Sequence, residues 1–422
     1  MKDIETGYEL HVDIAQKGLL ENENHLFVGN ALISMYAKCG SLGRAHQVFD
    51  DLRVRNVVSW NTLIAGYVSH GHGKEALMYF EEMKHKDEGV FPNPVSFLCA
   101  LKACGIVRDI EQCEEIHAEI SRQGLLRTNV QLGSTLLDVY AKLGFLDKAQ
   151  DVFEMLPVKD VVSWSTLISG YVDDGCHQEA LRYFELMQEQ SVFPNAVTFV
   201  SALKSCGNGR IMDQGCELHS QIEKMGLRET DLVVGTVLVD MYAKFGWLCE
   251  AHQVFEELPN ADTVSWTALI MGYIEHGDSE KALMCLQQMQ QIGIPSNSIT
   301  LVCGLKACGI LKIKGKGLEI HAAIKRRGLL EKDVLIGNTM VDMYAKCGCL
   351  PNACQVFDEL LVQDVTTWNC LIMGYIDHDL SQEALKCYEQ MQTKCVIPNT
   401  VTFICCLKAC GRLGALNKGL QV

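Results

Sequence analysis

Apolar residues recur at helical spacing along the chain, and the stretch DVVSWSTLISGY shows the pattern well. Four of its apolar side chains follow the i, i+3, i+4, i+7 spacing of one helix face: Trp164, Leu167, Ile168 and Tyr171. The pattern breaks at Gly175, resumes with Ala180 and ends at Pro194, so this part of the chain predicts two helices joined by a turn. No segment shows the alternation of strands joined by hairpin turns.

This block returns about every 102 residues, as its tryptophans show: Trp60, Trp164, Trp266 and Trp368. Each block divides into a short unit of 31 residues, a standard unit of 35 and a long unit of 36, and the first standard unit has two extra residues. Each unit is long enough for two helices. We therefore predict an all-α fold, an α-solenoid of stacked antiparallel helix pairs whose first helices line a concave inner face.

The units divide the whole chain. A partial long unit covers residues 1–25, and short, standard and long units then follow in residues 26–129, 130–231 and 232–333. A short and a standard unit fill residues 334–399, and residues 400–422 match part of a long unit. Since both outer units are incomplete, we expect the chain to be a segment of a longer array.

Composition and charge argue against several classes of protein. The formal net charge of −15 argues against indiscriminate binding of nucleic acid, although it leaves room for a local basic stripe. No apolar run reaches the roughly 18 residues of a transmembrane helix. The acidic start MKDIETGYELH resembles neither a signal peptide nor a transit peptide.

The 20 cysteines fit buried positions better than disulfides or metal sites. One series repeats with the units: Cys104, Cys206, Cys308 and Cys410. A second slot holds Cys39 and Cys347 but Leu143 and Phe245 in the other copies, which a metal site would not accept. We predict reduced cysteines, a reducing compartment, no metal and no cofactor.

Two positions of the short and standard units use a restricted polar alphabet. The fifth residue is always Asn, Ser or Thr: Asn30, Asn61, Ser134, Ser165, Thr236, Thr267, Asn338 and Asn369. The last residue is always Asn or Asp: Asn56, Asn93, Asp160, Asn195, Asp262, Asn297, Asp364 and Asn399. The long units have apolar fifth residues: Leu98, Val200, Val302 and Ile404.

Solvent exposure and helix capping are the simpler explanations of these positions. Asn and Asp are good N-caps, but Ser and Thr cap nearly as well and do not occur as last residues. Lys, Glu, Gln and Arg are good helix formers, yet none is a fifth residue. Base recognition explains both restrictions, because Asp accepts from the ring N–H of guanine or uracil, whereas an Asn amide can donate to adenine or cytosine. One helical repeat can thus read one unstacked base.

These residues, with the strings SWxxLIxGY, MYAKCG and LKAC, resemble the pentatricopeptide repeat family, specifically its plant subclass of alternating standard, long and short motifs. The resemblance covers essentially the whole chain and implies a right-handed superhelix. It also implies that a fifth Ser or Thr selects purines, that a fifth Asn selects pyrimidines, and that the last residue separates keto from amino bases. The implied RNA, from 5′ to 3′, is C C n G A n G A n U C, where the Asn/Asn pairs accept uracil less strictly.

The resemblance assigns two further sets of residues to the RNA. The second residue of a unit flanks the base in this family, which implies that role for Val58, Val162, Val233 and Val264. Packing between units is an equally good explanation, and Gln131 and Thr366 depart from the apolar pattern.

Eight lysines at i+4 steps from the fifth position are predicted to hold phosphates: Lys38, Lys102, Lys142, Lys204, Lys244, Lys306, Lys346 and Lys408. Their alternative role is a favourable interaction with the helix dipole near helix C-termini.

The function implied is sequence-specific binding of single-stranded RNA in a plant mitochondrion or chloroplast, for cytidine-to-uridine editing or related RNA processing. We find no counterpart of the subclass's deaminase domain, so we expect no enzymatic activity and a deaminase or editing-complex protein acting in trans. No membrane and no small-molecule substrate is expected. A tetratricopeptide-type scaffold for proteins is the alternative function.

One triplet has the H-x-E shape of a zinc deaminase, namely His117-Ala118-Glu119. Its copies, His219-Ser220-Gln221 and His321-Ala322-Ala323, do not keep the glutamate. We therefore interpret these histidines as structural.

Overall fold

The computed structural model describes residues 2–17, 26–85, 89–330 and 333–414. Parts of the predicted terminal units, residues 18–25 and 415–422, lie outside the described residues. No strand occurs within the described ranges. The chain forms two compact modules, Met1–Ser205 and Cys206–Val422, which are described separately below.

In the described part of the N-terminal module there are a 3-10 turn at Leu125–Arg127 and twelve α-helices, the last of which extends past the end of the module. They are α1 Lys2–Gln16, α2 Leu26–Lys38, α3 Leu42–Asp51, α4 Val57–Ser69, α5 Gly73–His85, α6 Pro94–Val107, α7 Ile110–Arg122, α8 Val130–Lys142, α9 Leu146–Met155, α10 Val161–Asp173, α11 His177–Glu189 and α12 Ala196–Gly209.

The C-terminal module repeats this arrangement of helices. They are α13 Met212–Lys224, α14 Leu227–Thr230, α15 Leu232–Phe245, α16 Leu248–Glu256, α17 Thr263–Glu275, α18 Ser279–Gln291, α19 Ser298–Leu311, α20 Lys314–Arg326, α21 Val334–Lys346, α22 Leu350–Glu359, α23 Val365–Asp377, α24 Ser381–Thr393 and α25 Thr400–Leu413.

Each complete unit supplies one helix pair, and its first helix begins at the unit's first residue, as at Val57, Pro94 and Val130. Neighbouring first helices pack side by side: α2 with α4, α4 with α6 and α6 with α8, and likewise α15 with α17 and α17 with α19. A second helix such as α5 packs against its own first helix, α4, and against the next, α6. The predicted all-α solenoid of helix pairs is confirmed in each module.

The tryptophan of the repeated frame forms part of the core between a short and a standard unit. It packs edge-on against a phenylalanine of the preceding helix, with ring centroids 4.5–4.7 Å apart: Phe49–Trp60, Phe153–Trp164, Phe255–Trp266 and Phe357–Trp368. Such aromatic pairs add about 0.5–1.5 kcal/mol beyond the effect of burial. Packing therefore explains why the tryptophan recurs.

The glycine of the same frame brings neighbouring first helices close together. A Cβ added at Gly170 would lie 2.9 Å from the Cβ of Ala141, nearer than side-chain atoms normally approach. The equivalent approaches are 2.5–2.7 Å: Gly66 to Ala37, Gly272 to Ala243 and Gly374 to Ala345. Glycine at this position therefore sets the spacing between α8 and α10, and between the corresponding helices of the other copies.

The repeating cysteines lie in the core, where Cys104, Cys206, Cys308 and Cys410 are at most 5% exposed. Burial raises the pKa of the Cys104 thiol to about 12, which keeps it protonated and poorly nucleophilic at neutral pH. Within the described ranges, no group of three His, Cys, Asp or Glu residues is placed to hold a metal ion. No helix in the same part of the chain has the length and apolar character needed to cross a membrane.

Candidate nucleic-acid interface

The fifth and last residues of a unit meet where two first helices pack side by side. We call each such pair a station. Direct hydrogen bonds join both members in four stations, from Asn61 Nδ2 to Asn93 Oδ1 (3.0 Å), Asn297 Nδ2 to Thr267 Oγ1 (3.2 Å), Asn338 Nδ2 to Asp364 Oδ1 (3.2 Å) and Asn369 Nδ2 to Asn399 Oδ1 (3.1 Å).

The remaining stations lack this direct bond among the residues that the structure describes. They are Asn30/Asn56, Ser134/Asp160, Ser165/Asn195 and Thr236/Asp262. Ser165 and Asn195 nevertheless line the same cleft. In seven stations the last residue lies at the start of a first helix that packs beside the helix of the fifth residue, so these stations have the same position in the fold. For the eighth, Ser165/Asn195, the shared cleft gives the corresponding position.

Two corresponding clefts show what surrounds a station. One cleft, of about 540 Å³, is lined by Lys38, Val58, Asn61, Asn93 and Val95. The other, of about 300 Å³, is lined by their counterparts Lys142, Val162, Ser165, Asn195 and Val197. Both volumes lie within the roughly 300–1,000 Å³ range of ligand clefts. A polar pair, two valines and a lysine thus converge in each cleft.

The valines assigned to base flanks are at least half exposed, although they lie on helices. The exposed fractions are 50% for Val58, 56% for Val162, 58% for Val233 and 60% for Val264, so these side chains are not buried between units. An apolar side chain left open at a cleft can pack on the face of a flat ligand.

Each cleft is also lined by a valine that the sequence analysis missed, Val95 or Val197. Both are second residues of long units, which lack a polar fifth residue. The sequence does contain a signal for these residues, because the second residue of every long unit from residue 94 onward is apolar: Val95, Val197, Ile299 and Val401.

The last residue of a station also caps the next first helix. Oδ1 of Asp160 accepts from the Ser163 N–H at 2.8 Å, and Oδ1 of Asn93 accepts from the Val95 and Ser96 N–H groups at 3.0 and 3.1 Å. Capping uses Oδ1, which Asp and Asn share. The second terminal atom is an acceptor in Asp and a donor in Asn, so it can distinguish bases.

Helix capping explains the restriction of last residues to Asn and Asp in all three kinds of unit. The last residues of the long units, Asn129, Asp231 and Asp333, are N-caps as well, although the fifth residues of those units are apolar. The last residue alone therefore does not indicate base reading. The polar fifth residue is what separates short and standard units from long ones.

The hydroxyl groups at fifth positions act as acceptors toward the cleft. Ser165 Oγ donates to the Val161 carbonyl at 2.6 Å, and Thr267 Oγ1 donates to the Thr263 carbonyl at 2.5 Å. Since the only hydroxyl proton is used within the helix, the oxygen can only accept from other partners, as Thr267 Oγ1 does from Asn297 Nδ2. Asn61, by contrast, directs its Nδ2 donor toward the last residue of its station, Asn93.

Asp364 shows that a carboxylate in a station is held ionised. Burial by itself raises the pKa of Asp364, but hydrogen bonds from the Thr367 N–H and from Asn338 outweigh it, and the pKa lies below its ordinary value. The side chain is therefore only an acceptor at neutral pH.

The predicted phosphate-binding lysines are exposed, except for the half-buried Lys244. Three of them pair with an aspartate one turn earlier at 2.7 Å: Lys142 with Asp138, Lys244 with Asp240 and Lys346 with Asp342. The residue one turn before Lys38 is Ser34. The positive charge of the lysine row is thus partly offset, which the sequence analysis did not anticipate.

The histidine triplets link neighbouring units. Nδ1 of His117 lies 3.0 Å from the Tyr140 hydroxyl, and the copies His11–Tyr36, His219–Tyr242 and His321–Tyr344 make the same contact at 2.6–3.0 Å. Burial lowers the pKa of His117, so the neutral imidazole predominates.

Comparisons with known proteins agree with this arrangement. The model of the PPR repeat family matches residues 55–105, 159–208, 261–309 and 363–412, and a second PPR repeat model matches residues 30–57, 134–161 and 338–365. The matches of the first model recur with the period of the repeated block that the tryptophans mark.

Curated relatives in Arabidopsis thaliana carry the same family name. A putative pentatricopeptide repeat-containing protein is 32% identical over 99% of this chain and 60% of its own length. A chloroplastic pentatricopeptide repeat-containing protein is 33% identical over 99% of this chain and 51% of its own length. A mitochondrial one is 34% identical over the whole chain and 40% of its own length. The chain thus spans 40–60% of the length of these relatives.

Solved structures of the maize pentatricopeptide repeat protein PPR10 share the fold. The crystal structure of that protein gives a TM-score of 0.75 at 19% identity and covers 98% of this chain and 60% of its own. Its complex with an 18-nt psaJ RNA element gives a TM-score of 0.77 at 18% identity over 94% of this chain and 59% of its own. From the matched repeats, the chain belongs to the pentatricopeptide repeat family.

Proposed function

We propose that the chain binds single-stranded RNA sequence-specifically and reads one base at each station. The observation that carries this proposal is the cleft around Ser165 and Asn195, where the polar pair, two exposed valines and Lys142 converge. PPR10, which has the same fold, has been crystallised with an RNA element. The family assignment favours RNA over the alternative of a protein-binding scaffold.

The station chemistry supports the base assignments made from the sequence. In a Ser/Asp or Thr/Asp station, the second carboxylate oxygen accepts from the N1–H of guanine. In a Ser/Asn or Thr/Asn station, the amide donates to N1 of adenine, which has no proton. Asn at the fifth position supplies a donor to a pyrimidine, and Asp364 accepts from the N3–H of uracil. The proposed RNA is C C n G A n G A n U C.

The apolar and basic residues hold the rest of each nucleotide. The exposed valines, such as Val58 and Val95, pack on the two faces of a base. The exposed lysines contact phosphates and fix the position of the strand without reading sequence. Because the chain carries a net charge of −15, the attraction to RNA is confined to these local sites.

The relatives suggest where this activity is used. Their names include chloroplastic and mitochondrial proteins. We propose that the chain acts on an organellar transcript as a site-recognition factor for cytidine-to-uridine editing or related processing. Catalysis would come from a deaminase or editing-complex protein in trans.

A binding experiment with two RNAs tests base reading. The first RNA has the proposed sequence with uridine at every n, and the second has its guanines and adenines exchanged. The exchange affects four stations, and if each loses only about 0.5 kcal/mol, binding weakens about thirtyfold. Both affinities are measured at the same salt concentration, because phosphate contacts make binding salt-dependent. Equal affinities would contradict the proposal.

A further inference from the structure

Two stations have the same reading pair but differ in one contact: Asn61/Asn93 and Asn369/Asn399. In the second, the hydroxyl of Thr402 lies 3.1 Å from the cap oxygen of Asn399 but closer to Oδ1 of Asn369, to which it donates at 2.7 Å. In the first, Ser96 replaces the threonine, and its hydroxyl bonds to the cap residue at 3.2 Å. Oδ1 of Asn61 is buried there without a hydrogen-bond partner among the described residues.

The short units show the same difference independently. The hydroxyl of Thr367 donates to Oδ1 of Asn338 at 2.6 Å. At the first short unit the corresponding residue is Ser59, which bonds to its cap residue, and Oδ1 of Asn30 is buried without a partner in the described part of the chain. Threonine or serine as the third residue of the next unit thus separates the four asparagines into two classes.

The orientation of each amide follows from its neighbours. Oδ1 of Asn399 is an acceptor because it caps α25 through the Thr402 N–H at 3.1 Å, so Asn369 must turn Nδ2 toward it. The Thr402 hydroxyl then holds Oδ1 on the other side, and the amide is fixed by both ends. Asn61 is held by Nδ2 alone. On folding, its buried Oδ1 loses its hydrogen bonds to water and gains none in return among the described residues.

We propose that the third residue of the following unit is a positioning residue for base reading. Threonine holds the fifth-residue asparagine by both ends of its amide, whereas serine leaves the Asn61 amide held by Nδ2 alone. This inference rests on the proposed function of the stations as readers of RNA bases.

The consequence concerns the choice between two pyrimidines. Cytosine presents an acceptor at N3, whereas uracil presents a donor N–H there. Where the last residue is also Asn, a fixed Nδ2 donor suits cytosine and opposes uracil, whereas at the Asn338 station the carboxylate of Asp364 supplies the acceptor that uracil needs. An amide held only by Nδ2 can give up its single bond to Asn93 and offer Oδ1 to the N3–H of uracil, which satisfies its own buried oxygen. The Asn369 station is therefore selective for cytosine, and the Asn61 station accepts both bases.

Exchange of the two hydroxyl residues tests the inference. Dissociation constants are measured for the proposed RNA with cytosine or uracil at its last nucleotide, read by Asn369, or at its second, read by Asn61. Thr402→Ser should lower the preference for cytosine at the last nucleotide about two- to tenfold, the range for one neutral hydrogen bond. Ser96→Thr should raise the preference at the second nucleotide by a similar factor.

Thr300→Ser is the matched control, because Thr300 follows a unit whose fifth residue is Thr267 and bonds only to Asn297. It should leave both pyrimidine preferences unchanged, and thermal unfolding checks that all three variants remain folded. Unchanged preferences in Thr402→Ser and Ser96→Thr, with adenine still distinguished from guanine at Ser165/Asn195, would overturn this inference alone. Loss of all base discrimination in the unaltered chain would overturn the proposed function.

Discussion

Asp160→Asn changes one terminal atom of the Ser134/Asp160 station, which is the first station assigned to guanine. The substitution leaves the helix cap in place. Oδ1 of Asp160 accepts from the Ser163 N–H at 2.8 Å, and the Asn side chain can keep this bond at the start of α10. The second carboxylate oxygen becomes an NH₂ group, so an acceptor is replaced by a donor. Guanine then loses the partner of its N1–H, and adenine gains a donor to its N1.

The size of the effect follows from the hydrogen bond and its surroundings. A hydrogen bond to a charged group contributes about 1.5–3 kcal/mol. Asp160 is half-buried, so solvent screening favours the lower end of this range. We expect the preference for guanine at the fourth nucleotide to fall about tenfold or more and adenine to become the preferred base.

Fluorescence anisotropy of labelled RNAs that differ only at the fourth nucleotide measures this change. Asn129→Asp is the matched control, because Asn129 caps α8 through the Leu132 N–H at 3.1 Å but ends a long unit without a polar fifth residue. It should alter no base preference. Asp160→Ala removes the cap and should cost about 1 kcal/mol of stability, which separates capping from reading. A guanine preference that survives in Asp160→Asn would refute the reasoning.

Three further predictions concern charge, packing and protonation. Asp138→Ser removes the ion-pair partner of Lys142 and should strengthen RNA binding and steepen its salt dependence; an unchanged salt slope would show that this lysine does not contact phosphate. Gly170→Ala places a methyl group against Ala141 and should lower the free energy of unfolding by about 1–3 kcal/mol in denaturant titrations, and a neutral result would contradict the tight spacing of α8 and α10. Burial lowers the pKa of His117 in the folded chain. At a pH below the unfolded-chain pKa of about 6.5, the unfolded chain therefore binds a proton at this residue that the folded chain excludes. Stability should therefore fall as the pH drops through about 6.5, and His117→Gln should reduce this loss in thermal unfolding; an equal loss in both proteins would count against it.

The sequence predicted the scaffold well because its determinants are local and periodic. The stripe of Trp164 and its neighbours specifies a helix face, and the repeated frame shows that every unit packs alike. The bonded partner of each side chain could not be predicted. Asp138 and Lys142 are visibly one turn apart, yet their pairing depends on rotamers that periodicity does not determine.

The sequence predicted some residues of the candidate site, and there are physical reasons why it did not predict the others. The polar fifth residues were found because their alphabet is restricted, but Val95 was missed because the wall of a cleft comes from the unit that follows it. The sequence did not show the full role of capping, because the last residue of one unit is the N-cap of the first helix of the next unit. The difference between Ser96 and Thr402 is a matter of where one hydroxyl proton points, which the sequence does not reveal.

The N-cap at each station has a consequence for how this kind of protein changes its target. Exchange of Asn for Asp preserves the atom that the helix requires and alters only the second terminal atom. If the stations read bases as proposed, specificity can therefore drift, or be engineered, one nucleotide at a time with almost no penalty in folding. The glycine beside the same cleft has no such freedom, so recognition can evolve quickly on a framework that hardly evolves at all.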